Sequence, residues 1–197
     1  MRPAYSWLLA AAALLCGCGG AAKREATELS RILAHDQPGF AALNSQEKDL
    51  VTASQAWTEA VATGGAGQGE QLERNAAAAD DLAKSADSIS RELGKMRQEI
   101  YEQTLREEFP QGVRANLITQ ITKRQRLLQE IRSDLTEAAT QFRALGQMRG
   151  YKGNSYPGSI DKLAQLLQVY KPPANVIGEA LGALKDKYGL KGVDVST

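Results

Sequence analysis

The sequence has few of the residues that usually carry catalytic chemistry or covalent cross-links. Its 197 residues include two cysteines and a single histidine. Both cysteines, Cys16 and Cys18, lie near the N-terminus, so they offer no disulfide framework for a folded body. His35 stands alone, whereas zinc and haem sites draw on several suitable ligands. We therefore expect no cofactor, no metal and no enzymatic activity.

Aromatic residues and net charge are also scarce. Aromatics make up 6% of the chain, and 24 basic residues face 23 acidic ones. This balance creates no field that would attract nucleic acid, so no nucleic-acid partner is expected. Runs of β-branched residues with a period of two are absent, while alanine, leucine, glutamine and charged residues dominate. That composition favours helices, and the sequence predicts an all-α fold.

The N-terminus has the parts of an export signal. Arg2 and the terminal amine precede an unbroken apolar run of nine residues, Trp7 to Leu15. A small residue before a cleavage point completes the pattern at Gly17. The apolar run is too short to cross a bilayer, which takes about 20 residues.

The end of this signal, Leu15-Cys16-Gly17-Cys18, resembles the lipobox of bacterial lipoproteins. Leu15 lies three positions before the cysteine and Gly17 directly before it, while Cys16 is an unusual occupant of the middle position. The resemblance implies that residues 1–17 are a signal peptide and that Cys18 receives a diacylglycerol thioether, with palmitate-type acylation of the new amine. Several acyl chains anchor a protein stably, whereas one holds it only marginally. The resemblance covers residues 1–18 alone.

Two further expectations follow from the residues around the cleavage point. Residue 19 is glycine rather than aspartate, which by the sorting rule of enteric lipoproteins implies the outer membrane, with the body facing the periplasm. Residues 19–22, Gly-Gly-Ala-Ala, predict a flexible tether. The alternative interpretation is an ordinary secretory signal cut after Ala22. Cys16 fits worse as the lipid acceptor, because Leu15 would then occupy the cleavage position.

The body, residues 18–149, is expected to contain four helical segments. Their predicted bounds are 22–36, about 45–63, 70–109 and 113–148. The sequence around Pro38 and Gly39 predicts a break between the first two segments, and Asn44 with Glu47 resembles a capping box for the second. Pro110-Gln111-Gly112 is expected to end the third segment.

The third and fourth segments carry the four-three spacing of a coiled-coil seam. The seam positions of the third are Leu82, Ala86, Ile89, Leu93, Met96 and Ile100. Those of the fourth are Leu117, Ile121, Arg124, Leu128, Ile131, Leu135, Ala138, Phe142 and Leu145. Residues 70–109 have net charge −4 and residues 111–149 have +4, which favours an antiparallel hairpin of the two. Arg124 is expected either to extend its charge to solvent or to set the register as a buried polar group.

Residues 150–197 differ in character and predict a small C-terminal helical hairpin. A loop rich in turn formers, with Tyr151, Tyr156 and Pro157, leads into a helix from Ser159 to about Tyr170. Pro172-Pro173 separates it from a last helix, about 174–188. We interpret the two tyrosines as a hydrophobic plug of the bundle rather than as ligand-binding anchors.

The remaining polar groups favour solvated surfaces over active sites. The carboxylate pairs Asp80-Asp81 and Glu107-Glu108 are expected to point in different directions. Lys123-Arg124-Gln125-Arg126 is the densest basic cluster and is interpreted as a solvated face, with anionic lipid, glycan or an acidic partner as alternatives. Met96 or Met148 beside His35 are the conceivable haem ligands, but methionine in a seam usually serves packing.

These patterns predict an all-α, elongated antiparallel helical bundle with a coiled-coil hairpin at about 70–148 and a small C-terminal hairpin. A tethered body of this kind suits a non-enzymatic scaffold or docking element, attached to the membrane through its lipid and meeting an unidentified envelope protein. The alternative is a ligand-binding or sensing module in the periplasm. Oligomeric state is left open by the sequence.

Overall fold

The structure, a computed structural model, describes the backbone of residues 6–153, 157–171 and 174–190, and the side chains of these ranges from residue 20 onward. Tyr156 and the predicted Pro172-Pro173 spacer lie outside the described residues. Five α-helices occur within these ranges: α1 (Ser6–Gly64), α2 (Glu70–Tyr101), α3 (Glu108–Gln147), α4 (Gly158–Gln168) and α5 (Val176–Tyr188). The described residues contain no strand, and the predicted all-α class is confirmed.

The chain divides into two compact units, and the three long helices contribute to both. Of the described residues, unit 1 contains 6–40, 96–120 and 175–190, and unit 2 contains 41–95, 121–153, 157–171 and 174. Helix α4 belongs to unit 2, whereas α5 belongs to unit 1. Each unit therefore has its own helical core, built from segments that are distant in sequence.

The seam predicted for α2 and α3 is confirmed as the buried face of these helices. The fully buried side chains that it contributes are Ala86, Ile89, Leu93, Ile100, Leu117, Ile121, Leu128, Ile131, Leu135, Ala138 and Phe142. Leu82, Met96 and Leu145 are half-buried. Within unit 2 the two helices are also joined by ion pairs from Arg132 to Asp87 at 2.9 Å and from Arg143 to Asp80, as their opposite charges predict.

The break predicted around Pro38 was wrong, because α1 runs continuously from Ser6 to Gly64 with Pro38 inside it. Proline in a helix interior costs about 3 kcal/mol. Leu33 and Phe40 are 0% and 1% exposed on either side of it, and burying each contributes about 1.5–3 kcal/mol. Gly39 suits close packing here, since an added Cβ would lie 2.8 Å from Cε of Met96 in α2. Packing on one continuous face thus outweighs the local breaker signal.

Two other local predictions in α1 were wrong for the same reason. Asn44 and Glu47 lie in the helix interior rather than at a cap, and Glu47 is 1% exposed. Residues 19–22 are helical rather than a flexible tether. Once a packed helix is nucleated, each added residue gains one hydrogen bond, and alanine has the best helix propensity.

The turn between α2 and α3 comes earlier than predicted. Helix α2 ends at Tyr101 rather than near residue 109, and α3 begins at Glu108. Pro110 therefore lies in the first turn of α3, where a backbone N–H has no helical acceptor to lose. The proline marks the start of a helix here, not the end of one.

Candidate functional site

The predicted lipid acceptor, Cys18, lies within α1, but its side chain is outside the described residues. It precedes Glu25 by seven positions in the sequence. In the part of the chain that the structure describes, no helix has the length and hydropathy required to cross a bilayer.

Glu25, in the N-terminal part of α1, binds the turn before α3 within unit 1. Its Oε2 atom accepts hydrogen bonds from the backbone N–H groups of Arg106 at 2.8 Å and Glu107 at 2.9 Å. A contact between a carboxylate and N–H groups beside a helix N-terminus is stabilised by the hydrogen bonds and by the helix dipole. The turn at 102–107 is thus held against the N-terminal part of α1.

An open groove, which we call the aromatic groove, lies beside this turn in unit 1. It has a volume of about 720 Å³ and is lined by Glu107, Glu108, Phe109, Gly112, Val113, Asn116, Ala183, Lys187 and Tyr188. The rings of Phe109 and Tyr188 meet edge-to-face, with centroids 5.8 Å apart at 73°. Lys187 Nζ lies 5.6 Å from the Phe109 centroid, within the range of a cation–π contact.

Tyr188 is the residue of the aromatic groove whose pKa is shifted. Burial raises the pKa of the Tyr188 hydroxyl, and the nearby charges of Glu107 and then Glu25 raise it further. The phenol therefore stays neutral at physiological pH and is available as a hydrogen-bonding group rather than as a base. Phe109 remains 37% exposed, which leaves an apolar surface open to solvent.

Unit 2 contains a buried polar cluster formed by Glu47, Arg124 and Tyr170. Arg124 donates from Nε and Nη2 to Oε2 of Glu47, at 3.0 and 2.5 Å, and the Tyr170 hydroxyl donates to Oε1 at 2.9 Å. The Glu47 side chain is 1% exposed and that of Arg124 is 10% exposed. Burial raises the pKa of Tyr170, and the charge of Glu47 and its hydrogen bond raise it further.

This cluster decides between the two expectations for Arg124. The side chain does not extend to solvent; it is a buried polar group paired across helices α1 and α3. Glu47 was missed because its spacing from Asn44 resembled a cap. The sequence feature that would have identified Glu47 as a buried residue is its position between Leu43 and Leu50 on the four-three seam of α1.

The basic cluster of α3 does not form one surface. Lys123 and Arg126 are exposed, whereas Arg124 points into the core of unit 2. Gln125 donates from Nε2 to the backbone oxygen of Ser90 at 3.0 Å. Only half of the predicted patch is therefore accessible to an anionic partner.

The two carboxylate pairs are divided in the way helical geometry predicts. Asp80 pairs with Arg143 of α3, while Asp81 pairs with Lys84 of its own helix at 2.9 Å. Glu107 is half-buried and Glu108 is exposed. Neither pair brings two carboxylates together for general acid–base work.

The conceivable haem ligands are not brought together into a site. His35 lies inside α1 rather than in a loop, and its side chain is exposed. Met96 packs toward Gly39, and Met148 is 59% exposed. Across the described side chains, no three His, Cys, Asp or Glu residues are grouped to hold a metal ion.

The predicted tyrosine plug is described in part. Tyr151 is half-buried and Pro157 is buried, both within unit 2, and Tyr156 is outside the described residues.

No family model, curated protein or solved structure shows a significant match to this chain.

Proposed function

We propose that this chain is a lipid-anchored protein of the cell envelope that acts as a non-enzymatic helical scaffold or docking element. The observation that carries the proposal is Leu15-Cys16-Gly17-Cys18 directly after an apolar run of nine residues. In this proposal residues 1–17 are removed, Cys18 is acylated, and the body lies at the outer membrane, facing the periplasm.

The helical body supports docking rather than catalysis. The cores of both units are filled by apolar seam residues, and the buried carboxylate of Glu47 is occupied by three hydrogen bonds. Open grooves lie on helix surfaces outside these cores, and the aromatic groove is one of them. Long helical faces and shallow grooves suit protein or membrane contacts better than enclosure of a reacting substrate.

A ligand-binding module in the periplasm is the second candidate. The aromatic groove favours it, because its volume of about 720 Å³ and its exposed Phe109 ring could accommodate a small apolar molecule. A small apolar ligand that binds in this groove would have to raise the melting temperature of the purified protein. A docking element instead requires a macromolecular or membrane surface.

The anchor is tested by metabolic labelling of the natural host with an alkyne analogue of palmitate, followed by membrane fractionation. The mature protein, which begins at Cys18, is expected in the outer-membrane fraction, carrying the label. Cys18→Ser should abolish the label, whereas the matched control Cys16→Ser should keep it, because Cys16 leaves with the signal. Label that persists in Cys18→Ser and disappears in Cys16→Ser would contradict the proposal.

The docking role is tested in the same host by photo-crosslinking from exposed positions of α3, such as Lys123 and Arg126. A scaffold should give a discrete crosslinked species that requires the membrane-anchored form. A protein that stays uncrosslinked at these and other exposed positions, while its label and fractionation are normal, would separate the anchor from the docking role and reject the latter.

A further inference from the structure

We infer that one end of unit 1 is a membrane-contact surface that rests on the bilayer holding the lipid of Cys18. This surface, which we call the aromatic face, consists of the contacting side chains of Phe109, Lys187 and Tyr188 and of Tyr101, the last residue of α2 before the turn that Glu25 binds. The inference depends on the proposed lipidation and deepens it, since it names the surface of the body that meets the membrane. The partner that contacts the aromatic face is the headgroup region of the bilayer.

Covalent geometry keeps the aromatic face close to the anchor. Glu25 follows Cys18 by seven positions, which is about 10 Å along a helix. Even a fully extended chain of that length reaches at most about 25 Å. Glu25 binds the amides of Arg106 and Glu107, and Phe109 follows two positions later. The face therefore lies within a short reach of the lipid whatever the conformation of the first mature residues.

The side chains have the chemistry of a membrane interface. Tyr101 is 61% and Phe109 is 37% exposed, so both rings are accessible to a bilayer surface. Aromatic rings are enriched at the headgroup level of bilayers, where one part of the ring is apolar and the other is hydrated. Lys187 lies over the Phe109 ring and can extend its amine toward phosphate while its stem stays on the apolar surface.

Exposed cations surround the same end of unit 1. Lys23 and Arg24 directly precede Glu25, and Arg106 donates its backbone N–H to the Glu25 carboxylate. These side chains are exposed and can meet lipid phosphates. Glu107 and Glu108 line the aromatic groove and disfavour any anion there, so lipid phosphates would be met by the exposed cations beside the groove. Tethering raises the effective concentration of the bilayer at this surface, so even a weak interfacial affinity is sufficient for contact.

The test uses the lipidated protein purified from its host and reconstituted into vesicles of phosphatidylethanolamine and phosphatidylglycerol. Phe109→Cys is labelled with a polarity-sensitive fluorophore, and Thr119→Cys is the matched control. Thr119 is exposed on the same helix of unit 1, ten positions further along and about 15 Å away along the axis. Nitroxide-labelled headgroups should quench the label at position 109 at least about twofold more than at position 119.

Equal quenching at the two positions would overturn the inference. Tyr101→Cys provides a second label site, and hydrogen exchange of the unsubstituted protein provides a measurement without any label. Amides of 101–109 and 183–188 should be protected more strongly in vesicles than in detergent, relative to amides near residue 119.

The mass of the same sample separates the two proposals: absence of a lipid adduct rejects the anchor, whereas an adduct without preferential quenching or protection rejects the membrane-contact surface alone.

Discussion

The guanidinium of Arg124 donates two hydrogen bonds to one carboxylate oxygen of Glu47, inside the core of unit 2. Removal of one partner of a buried ion pair leaves the other charge without compensation. Arg124→Leu should therefore lower the free energy of unfolding by about 3–5 kcal/mol, even though leucine suits an apolar seam. Urea denaturation followed by circular dichroism measures this difference.

The double variant Glu47→Leu/Arg124→Leu provides the decisive comparison. It removes both charges together, so it should recover most of the stability lost in the single variant. Arg132→Ala is the control for an exposed pair, because Arg132 and Asp87 are 53% and 30% exposed, and its effect should stay below about 1 kcal/mol. An Arg124→Leu protein more stable than the wild type would contradict the paired role.

Tyr170 adds a third hydrogen bond to the same carboxylate, from just beyond the end of α4. Tyr170→Phe removes only the hydroxyl and should cost about 1.5–3 kcal/mol, the range for a bond to a charged group. Tyr101→Phe is the matched control, since the Tyr101 side chain is 61% exposed, and it should change the unfolding free energy little. Equal effects of the two substitutions would show that the Tyr170 bond contributes nothing.

Pro38 and Pro110, which both lie within helices, should respond differently to replacement by alanine. Pro38 is exposed in the interior of α1, so Pro38→Ala restores a backbone donor and should raise the unfolding free energy by about 1–3 kcal/mol. Pro110 is buried in the first turn of α3, where no hydrogen bond is gained, and Pro110→Ala should give no increase. Thermal melts compare the two, and a destabilised Pro38→Ala protein would argue against a continuous α1.

Asp36 makes stability depend on pH. Burial raises the pKa of its carboxyl, the charge of Glu99 raises it further, and His35 acts in the opposite direction. Its Oδ2 atom has no hydrogen-bond partner among the described residues. Because the folded pKa lies above the unfolded one, the ionised carboxylate destabilises the fold at neutral pH, and this penalty disappears as the pH falls through the folded pKa to below the unfolded value.

Asp36→Asn should therefore be more stable than the wild type at pH 7, with a gain that shrinks toward pH 3. Melting temperatures across this range measure the difference. Asp81→Asn is the control, because Asp81 is 76% exposed and pairs with Lys84 at the surface, and it should show no gain at pH 7. A constant difference between Asp36→Asn and the wild type at all pH values would contradict the role of ionisation.

The coiled-coil seam explains how far the fold could be predicted. Ile121, Leu128 and Leu135 repeat at a fixed spacing and are all buried, so periodicity, together with the opposite charges of the two segments, predicted the hairpin of α2 and α3. Local breaker signals were less informative. Pro38 lies in a helix because the buried residues on both sides outweigh its cost, and this balance depends on tertiary contacts that a short sequence window does not contain.

The candidate site was harder to predict for a related reason. Arg124 was recognisable as a charged residue on an apolar seam. Its partner Glu47 lies 77 positions away and was interpreted as part of a capping box. The aromatic groove combines Phe109 and Tyr188 from helices that are far apart in sequence. Pairings of this kind follow from the packing of the helices, which composition and local spacing do not specify.

The most direct test of the central claim is the intact mass of the mature protein purified from the membranes of its host. Lipidation at Cys18 should give a chain that begins at Cys18 and carries a diacylglycerol group, with a further acyl chain on the amine where the host adds one. Cys16→Ser should give the same adduct and the same mature chain. A mature protein that begins after Ala22, or one that begins at Cys18 without lipid, would contradict the account.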